Sequence, residues 1–64
     1  MNKVKGFRVM VGMTQEEMAN AIGVSVRAYI NKEIGKSEFT IGEFKQIKDT
    51  LNSRGLNLTV SDLF

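Results

Sequence analysis

Arg27 and Asn31 stand one helical turn apart in the segment V-R-A-Y-I-N-K-E-I. A guanidinium offers a planar fork of donors and a carboxamide sets a donor beside an acceptor, so the pair is equipped for bidentate hydrogen bonding. Bond-making chemistry has no comparable candidates. The chain has 0 histidines and 0 cysteines, which removes disulfides, the usual zinc sites and every His- or Cys-based catalytic group. No nucleophile-base pair, phosphate-cradling glycine loop or carboxylate metal cluster is readable either. An enzyme is therefore not expected, nor a cofactor, a metal or a small-molecule substrate.

The elements that must position Arg27 and Asn31 follow from periodicity and capping. Val4, Phe7, Arg8 and Val11 have i, i+3, i+4, i+7 spacing, and Gly12 follows where a helix-ending residue is wanted. Thr14 opens a capping box with Glu17, and Met18, Ala19 and Ile22 form the apolar stripe of a short second helix closed by Gly23. Val24 plugs the turn. Ser25 then caps a third helix that runs to Ile34 and ends at Gly35. A second capping box, Thr40 with Glu43, opens a fourth helix with Ile41, Phe44, Ile47 and Leu51 on one face, slightly weakened by Gly42. Thr59 caps a last turn containing Asp62 and Leu63, and Leu56, Leu58, Leu63 and Phe64 close the core from below.

A chain of 64 residues cannot divide its apolar side chains between two cores, so residues 1–64 are expected to form a single domain. With 42% hydrophobic and 25% charged residues, it has the composition of an ordinary soluble globular protein. The four methionines, Met1, Met10, Met13 and Met18, fit as gap-fillers in a small core. The opening residues M-N-K-V-K-G-F-R-V-M-V-G-M hold no apolar run long enough for a signal peptide. A cytoplasmic protein without membrane association is expected. Nine basic against seven acidic residues give a net charge of +2, which permits a polyanionic partner without demanding one. The expected architecture is an all-α, five-helix bundle in which helices two and three form a helix-turn-helix unit.

The stretch T-Q-E-E-M-A-N-A-I-G-V-S from Thr14 to Ser25, followed by Glu33 and Gly35-Lys36, resembles the Cro and lambda-repressor-like helix-turn-helix family of transcriptional regulators. A-Y-I-N-K-E-I-G-K-S-E-F-T, from Ala28 to Thr40, is more narrowly similar to its small prophage-type members. The likeness spans roughly Val4 to Leu51, with S-D-L-F echoing the last helix. Four departures stand out. Ile30 occupies a position where the family has a small polar residue, and Lys32 one where it has a large apolar residue. Asn52 to Leu58 is longer than the usual link, and Phe39 replaces a common proline, where it is expected to enter the core.

The resemblance implies that the third helix lies in the major groove of double-stranded DNA. Helical geometry then turns Tyr29 and Glu33 inward, Tyr29 with its hydroxyl at an edge, and gathers Arg27, Asn31 and Ile34 on the opposite face beside Ile30. Arg27 is expected to pair with guanine and Asn31 with adenine, and Ile30 to meet a thymine methyl, with Val26 and Ala28 completing the base-reading set. Gln15, Ser25, Lys32, Lys36 and Ser37 are expected at phosphates, which fix register without reading sequence. Arg8, on the stripe of helix one, and Glu33, on the inward face of helix three, are expected to form a structural ion pair, as family members often do.

Each feature has a plainer reading. Thr14 and Ser25 are explained as caps, and Lys36, Lys45 and Lys48 as solvated charges. Ile30 and Ile34 on a groove-facing surface leave two possibilities: a rotated helix that packs one of them inward, or a protein contact. The second leads to a rival expectation, a helix-turn-helix scaffold that binds protein, as an antirepressor or a regulator subunit. The leading expectation is a sequence-specific DNA-binding regulator, a prophage-type repressor. It would act as a homodimer on a palindromic site, since one such module buries only about 600–1,000 Å² on DNA.

Overall fold

The computed structural model describes residues 2–64, so Met1 lies outside the described residues. Four α-helices follow one another, α1 (Val4–Met10), α2 (Gln15–Ile22), α3 (Val26–Glu33) and α4 (Ile41–Ser53), and a 3-10 turn, Val60–Leu63, comes last. The expectation of five helices is corrected here. The last element has only four residues, one turn, and it takes the tighter i to i+3 pattern used in short pieces.

Caps define the helix starts. Thr14 Oγ1 accepts from Glu17 N at 3.0 Å while Thr14 N donates to Glu17 Oε1 at 2.8 Å, and Thr40 and Glu43 repeat the arrangement at 3.0 and 2.9 Å. Ser25 Oγ accepts from Ala28 N at 3.2 Å. Ahead of α1, Asn2 works in two directions: its Oδ1 accepts from Val4 N at 3.0 Å, and its Nδ2 donates to the Lys32 carbonyl at 3.0 Å. The start of α1 is thereby tied to the end of α3.

The helix ends share one closure. Gly23 has φ 73°, a left-handed conformation that costs glycine nothing, and the next amide, Val24 N, reaches back to the Ala19 carbonyl at 3.0 Å. Met13 to Arg8, Lys36 to Asn31 and Leu56 to Leu51 repeat that bond after the other helices. The α3 helix stops at Glu33, and Ile34 forms its C-cap.

The core contains Val4, Met13, Met18, Ala19, Ile22, Tyr29, Phe39, Phe44, Ile47, Leu51 and Leu63. Tyr29, Phe39, Phe44 and Phe64 form a chain of tilted and edge-on rings with centroids 5.7, 5.3 and 5.1 Å apart, the geometry aromatic quadrupoles favour. Three expectations about packing fail. Phe64, expected to close the core, is 52% exposed and offers it only a ring edge against Phe44. Met10 is 65% exposed and so is no gap-filler, and Ile41 is 57% exposed although its helix partners Phe44, Ile47 and Leu51 are buried. Ile41 instead lines an open cleft of about 430 Å³ with Asn2, Glu38, Phe39, Phe44 and Phe64.

The chain after α4 is held by a side chain acting as a strand edge. Asn52 Nδ2 donates to the Leu58 carbonyl at 3.0 Å and Asn52 Oδ1 accepts from Leu58 N at 2.8 Å. Lys3 N then donates to the Leu63 carbonyl at 2.9 Å, which closes the last turn onto the first helix.

Candidate nucleic-acid interface

Only Gly23, Val24 and Ser25 separate α2 from α3, and α3 packs chiefly against α2. Tyr29 and Glu33 are its buried residues. A helix advances about 100° per residue, so a helix buried along Tyr29 and Glu33 turns Arg27, Ile30, Asn31 and Ile34 outward. Arg27 and Ile34 are exposed, while Ile30, Asn31 and Ala28 are half-buried. Among the described residues no ion pair engages Arg27, and its donor fork faces solvent. Val26 is differently placed: it packs against the core, because it sits about 100° to the buried side of Arg27.

Behind this face lies a saturated carboxylate. Arg8 Nε donates to Glu33 Oε2 at 2.8 Å and Arg8 Nη2 to Glu33 Oε1 at 3.1 Å, while Arg8 Nη1 donates to the Met13 carbonyl at 2.7 Å. Tyr29 Oη donates to Glu33 Oε2, and Gln15 Nε2 to Glu33 Oε1 at 3.1 Å. Four donors from three helices meet one buried carboxylate, and no buried side-chain polar atom among the described residues lacks a partner. Burial alone would raise the Glu33 pKa, yet the donors from Arg8, Tyr29 and Gln15 outweigh it and hold the carboxyl below its ordinary value. Hydrogen bonding to Glu33 raises Arg8 in turn. Burial, then the Glu33 carboxylate, push the Tyr29 hydroxyl well above its usual range, and that hydroxyl lies inside the fold instead of at its edge.

The residues expected at phosphates divide. Lys36 and Ser37 are exposed just beyond α3. Ser25 is exposed too, and its cap uses a hydroxyl lone pair, leaving the O–H able to donate. Gln15 is half-buried and gives one N–H of its amide to Glu33; the second N–H is uncommitted in that bond. Lys32 is turned away. Its Nζ contacts Glu43 Oε1 at 2.8 Å and Oε2 at 2.7 Å, on the α4 side of the helix, which sets it apart from the cations beside the outward face.

Sequence reasoning missed four participants. Tyr29 Oη, Gln15 and the Met13 carbonyl complete the Arg8–Glu33 network, and a carboxylate with four acceptor sites buried in apolar surroundings is the signal that more than one donor was needed. Lys32 follows Tyr29 by three positions on the inward-turned side, which is the signal for its partner on α4.

A profile of the helix-turn-helix family matches residues 4–61, nearly the whole chain. No curated protein and no solved structure matches. The chain belongs to the helix-turn-helix family of the Cro and phage-repressor type, whose members are DNA-binding domains and not enzymes. Among the described residues no helix is long and apolar enough to cross a membrane.

Proposed function

We propose that this helix-turn-helix domain is a sequence-specific transcriptional repressor of prophage type. It inserts α3 into the major groove, reads bases with Arg27 and Asn31, and works in the cytoplasm as a homodimer on a palindromic site. What supports the reading best is the division of α3, with Tyr29 and Glu33 buried and bonded while Arg27 and Asn31 stand on the outward side. Arg27 matches guanine O6 and N7, and Asn31, one turn on, matches adenine N6 and N7. Ile30 and Ala28 flank them, within reach of thymine methyl groups. Ser25, Gln15, Lys36 and Ser37 surround the helix with donors for phosphates.

The test is a binding selection from a genomic fragment pool with the purified protein, repeated across a salt series. The expected result is one enriched, two-fold symmetric motif whose affinity falls steeply with salt.

A second reading uses the same scaffold to bind protein, as an antirepressor or regulator subunit. The open cleft at Ile41 and Phe64, together with the exposed side chain of Ile34, is what favours it. Absence of any duplex binding at low salt would select it.

A further inference from the structure

The reading helix has eight residues, about 12 Å of rod; among the helices it lies chiefly against α2, and its buried ring, Tyr29, reaches Phe39. A helix of two turns, held by one buried ring and a few partly buried side chains, can still roll about its own axis unless polar contacts fix it. Glu33 supplies one anchor, to Arg8 of α1 and Gln15 of α2. Lys32 supplies a second, directed to α4, and its main-chain carbonyl is held from outside the helix by Asn2. Adjacent residues on a helix point about 100° apart, so anchors at 32 and 33 to different helices remove the roll that one would permit.

The acceptor on α4 is itself stationary. Glu43 Oε1 also accepts from Thr40 N at 2.9 Å, and Glu43 N donates to Thr40 Oγ1, while the next residue, Phe44, is in the core. The ion pair is sheltered, with side chains 19% and 13% exposed, so water screens it less than an ordinary surface pair. Burial would raise the Glu43 carboxyl, but the bonds from Lys32 and Thr40 hold it below its usual value.

Resting on the proposed reading of α3 as the base-contacting helix, we propose that Lys32 and Glu43 are positioning residues for DNA recognition: they set the roll of α3 without touching DNA. Lys32 follows Arg27 by five positions and lies about 140° around the helix from it. A bidentate base contact tolerates a misalignment of only about 10–20°. Loosening this anchor should therefore blur base discrimination before it unfolds the domain.

The experiment compares Lys32→Met, Glu43→Gln and the double variant, because methionine keeps the stem of Lys32 and glutamine keeps an acceptor for the Thr40 cap. Affinity is measured for the selected site and for sites changed at the bases facing Arg27 and Asn31, under conditions where circular dichroism shows each variant folded. The expected result is a loss of discrimination of about tenfold in either single variant, no further loss in the double, and an unchanged salt slope. Lys32→Met lowering the salt slope by about one, with Glu43→Gln raising affinity, would make Lys32 a phosphate contact and overturn the proposal. Unchanged discrimination with only a lower melting temperature would overturn it as well. If the wild-type chain selects no duplex, the DNA reading falls and this inference with it; if it selects one and the variants discriminate as it does, only the inference falls.

Discussion

Glu33 shows how much a single buried charge demands. Helical phase places it on the inward face of α3 and places Arg8 on the stripe of α1, so two opposite charges with nowhere else to go are legible from sequence. Tyr29 Oη and Gln15 Nε2 are less so, because periodicity assigns a side to a residue but not the direction of a polar tip. Removing one partner from a buried pair leaves the other uncompensated, so Arg8→Met and Glu33→Gln should each cost about 3–5 kcal/mol in urea denaturation. Tyr29→Phe, which deletes one of four donors, should cost about 1–2 kcal/mol. Near-wild-type stability in all three would show that the network is solvated in solution. The same groups set the pH response. Glu33 and Glu43 are held below their ordinary values, so their contribution is present above the unfolded carboxylate value of about 4.3 and is lost as pH falls through their folded values. Tyr29 is raised, so its contribution is present below about 10 and is lost as the unfolded tyrosine ionises above that. With 0 histidines and 0 cysteines in the chain, no side chain has its ordinary value between about pH 6 and 9, so thermal unfolding of the protein with its α-amino group acetylated should be flat there. A midpoint that drifts within that window would contradict this assignment of the titrating groups.

At the scale of the elements, capping chemistry made α2, α3 and α4 legible to within a residue, because Thr14-Glu17, Ser25 and Thr40-Glu43 satisfy orphan amides locally and need nothing from the rest of the fold. The last turn was harder. Thr59 and Asp62 do meet, with Thr59 N donating to Asp62 Oδ2 at 2.8 Å, but whether four residues wind as α or 3-10 depends on tertiary docking. Ile41 misled for a similar reason: it fits the helix period, yet it lies at the first turn, where the apolar face opens into the cleft. Two glycines give opposite tests of the local argument. Gly6 lies inside α1 and Gly23 ends α2 at φ 73°, and an added Cβ meets nothing within 4 Å at either. Steric crowding is thus absent at both, and only backbone preference differs. Gly6→Ala should stabilise the domain by about 0.5–1 kcal/mol, whereas Gly23→Ala should destabilise it by about 1–2 kcal/mol. Melting temperatures moving in the same direction for both would mean that one helix boundary is misplaced.

For the molecule as a whole, 27 × 21 × 18 Å in extent, size frames recognition. Half-sites one DNA turn apart are separated by about 34–36 Å, so under the proposed reading one domain would span a single half-site, and two copies would be needed on a palindrome. The all-α helix-turn-helix bundle was legible from apolar periodicity, capping boxes and closing glycines, but the surface that would join two copies was not, because an apolar exposed residue such as Ile34 or Met10 reads from sequence as either core or interface. The two sets of contacts around α3 should separate in binding. Arg27 is exposed and outside the Glu33 network, so Arg27→Ala should leave stability within about 0.5 kcal/mol, cost about 1–3 kcal/mol on the selected site and relax one base position. Gln15 divides its amide between Glu33 and solvent, and Gln15→Ala should weaken every duplex alike while also lowering the melting temperature. The measurement is a fluorescence titration of both variants against the selected site and its single-base changes, with melting curves alongside. A uniform affinity loss from Arg27→Ala would remove it from base reading and leave Asn31 as the contact to test next.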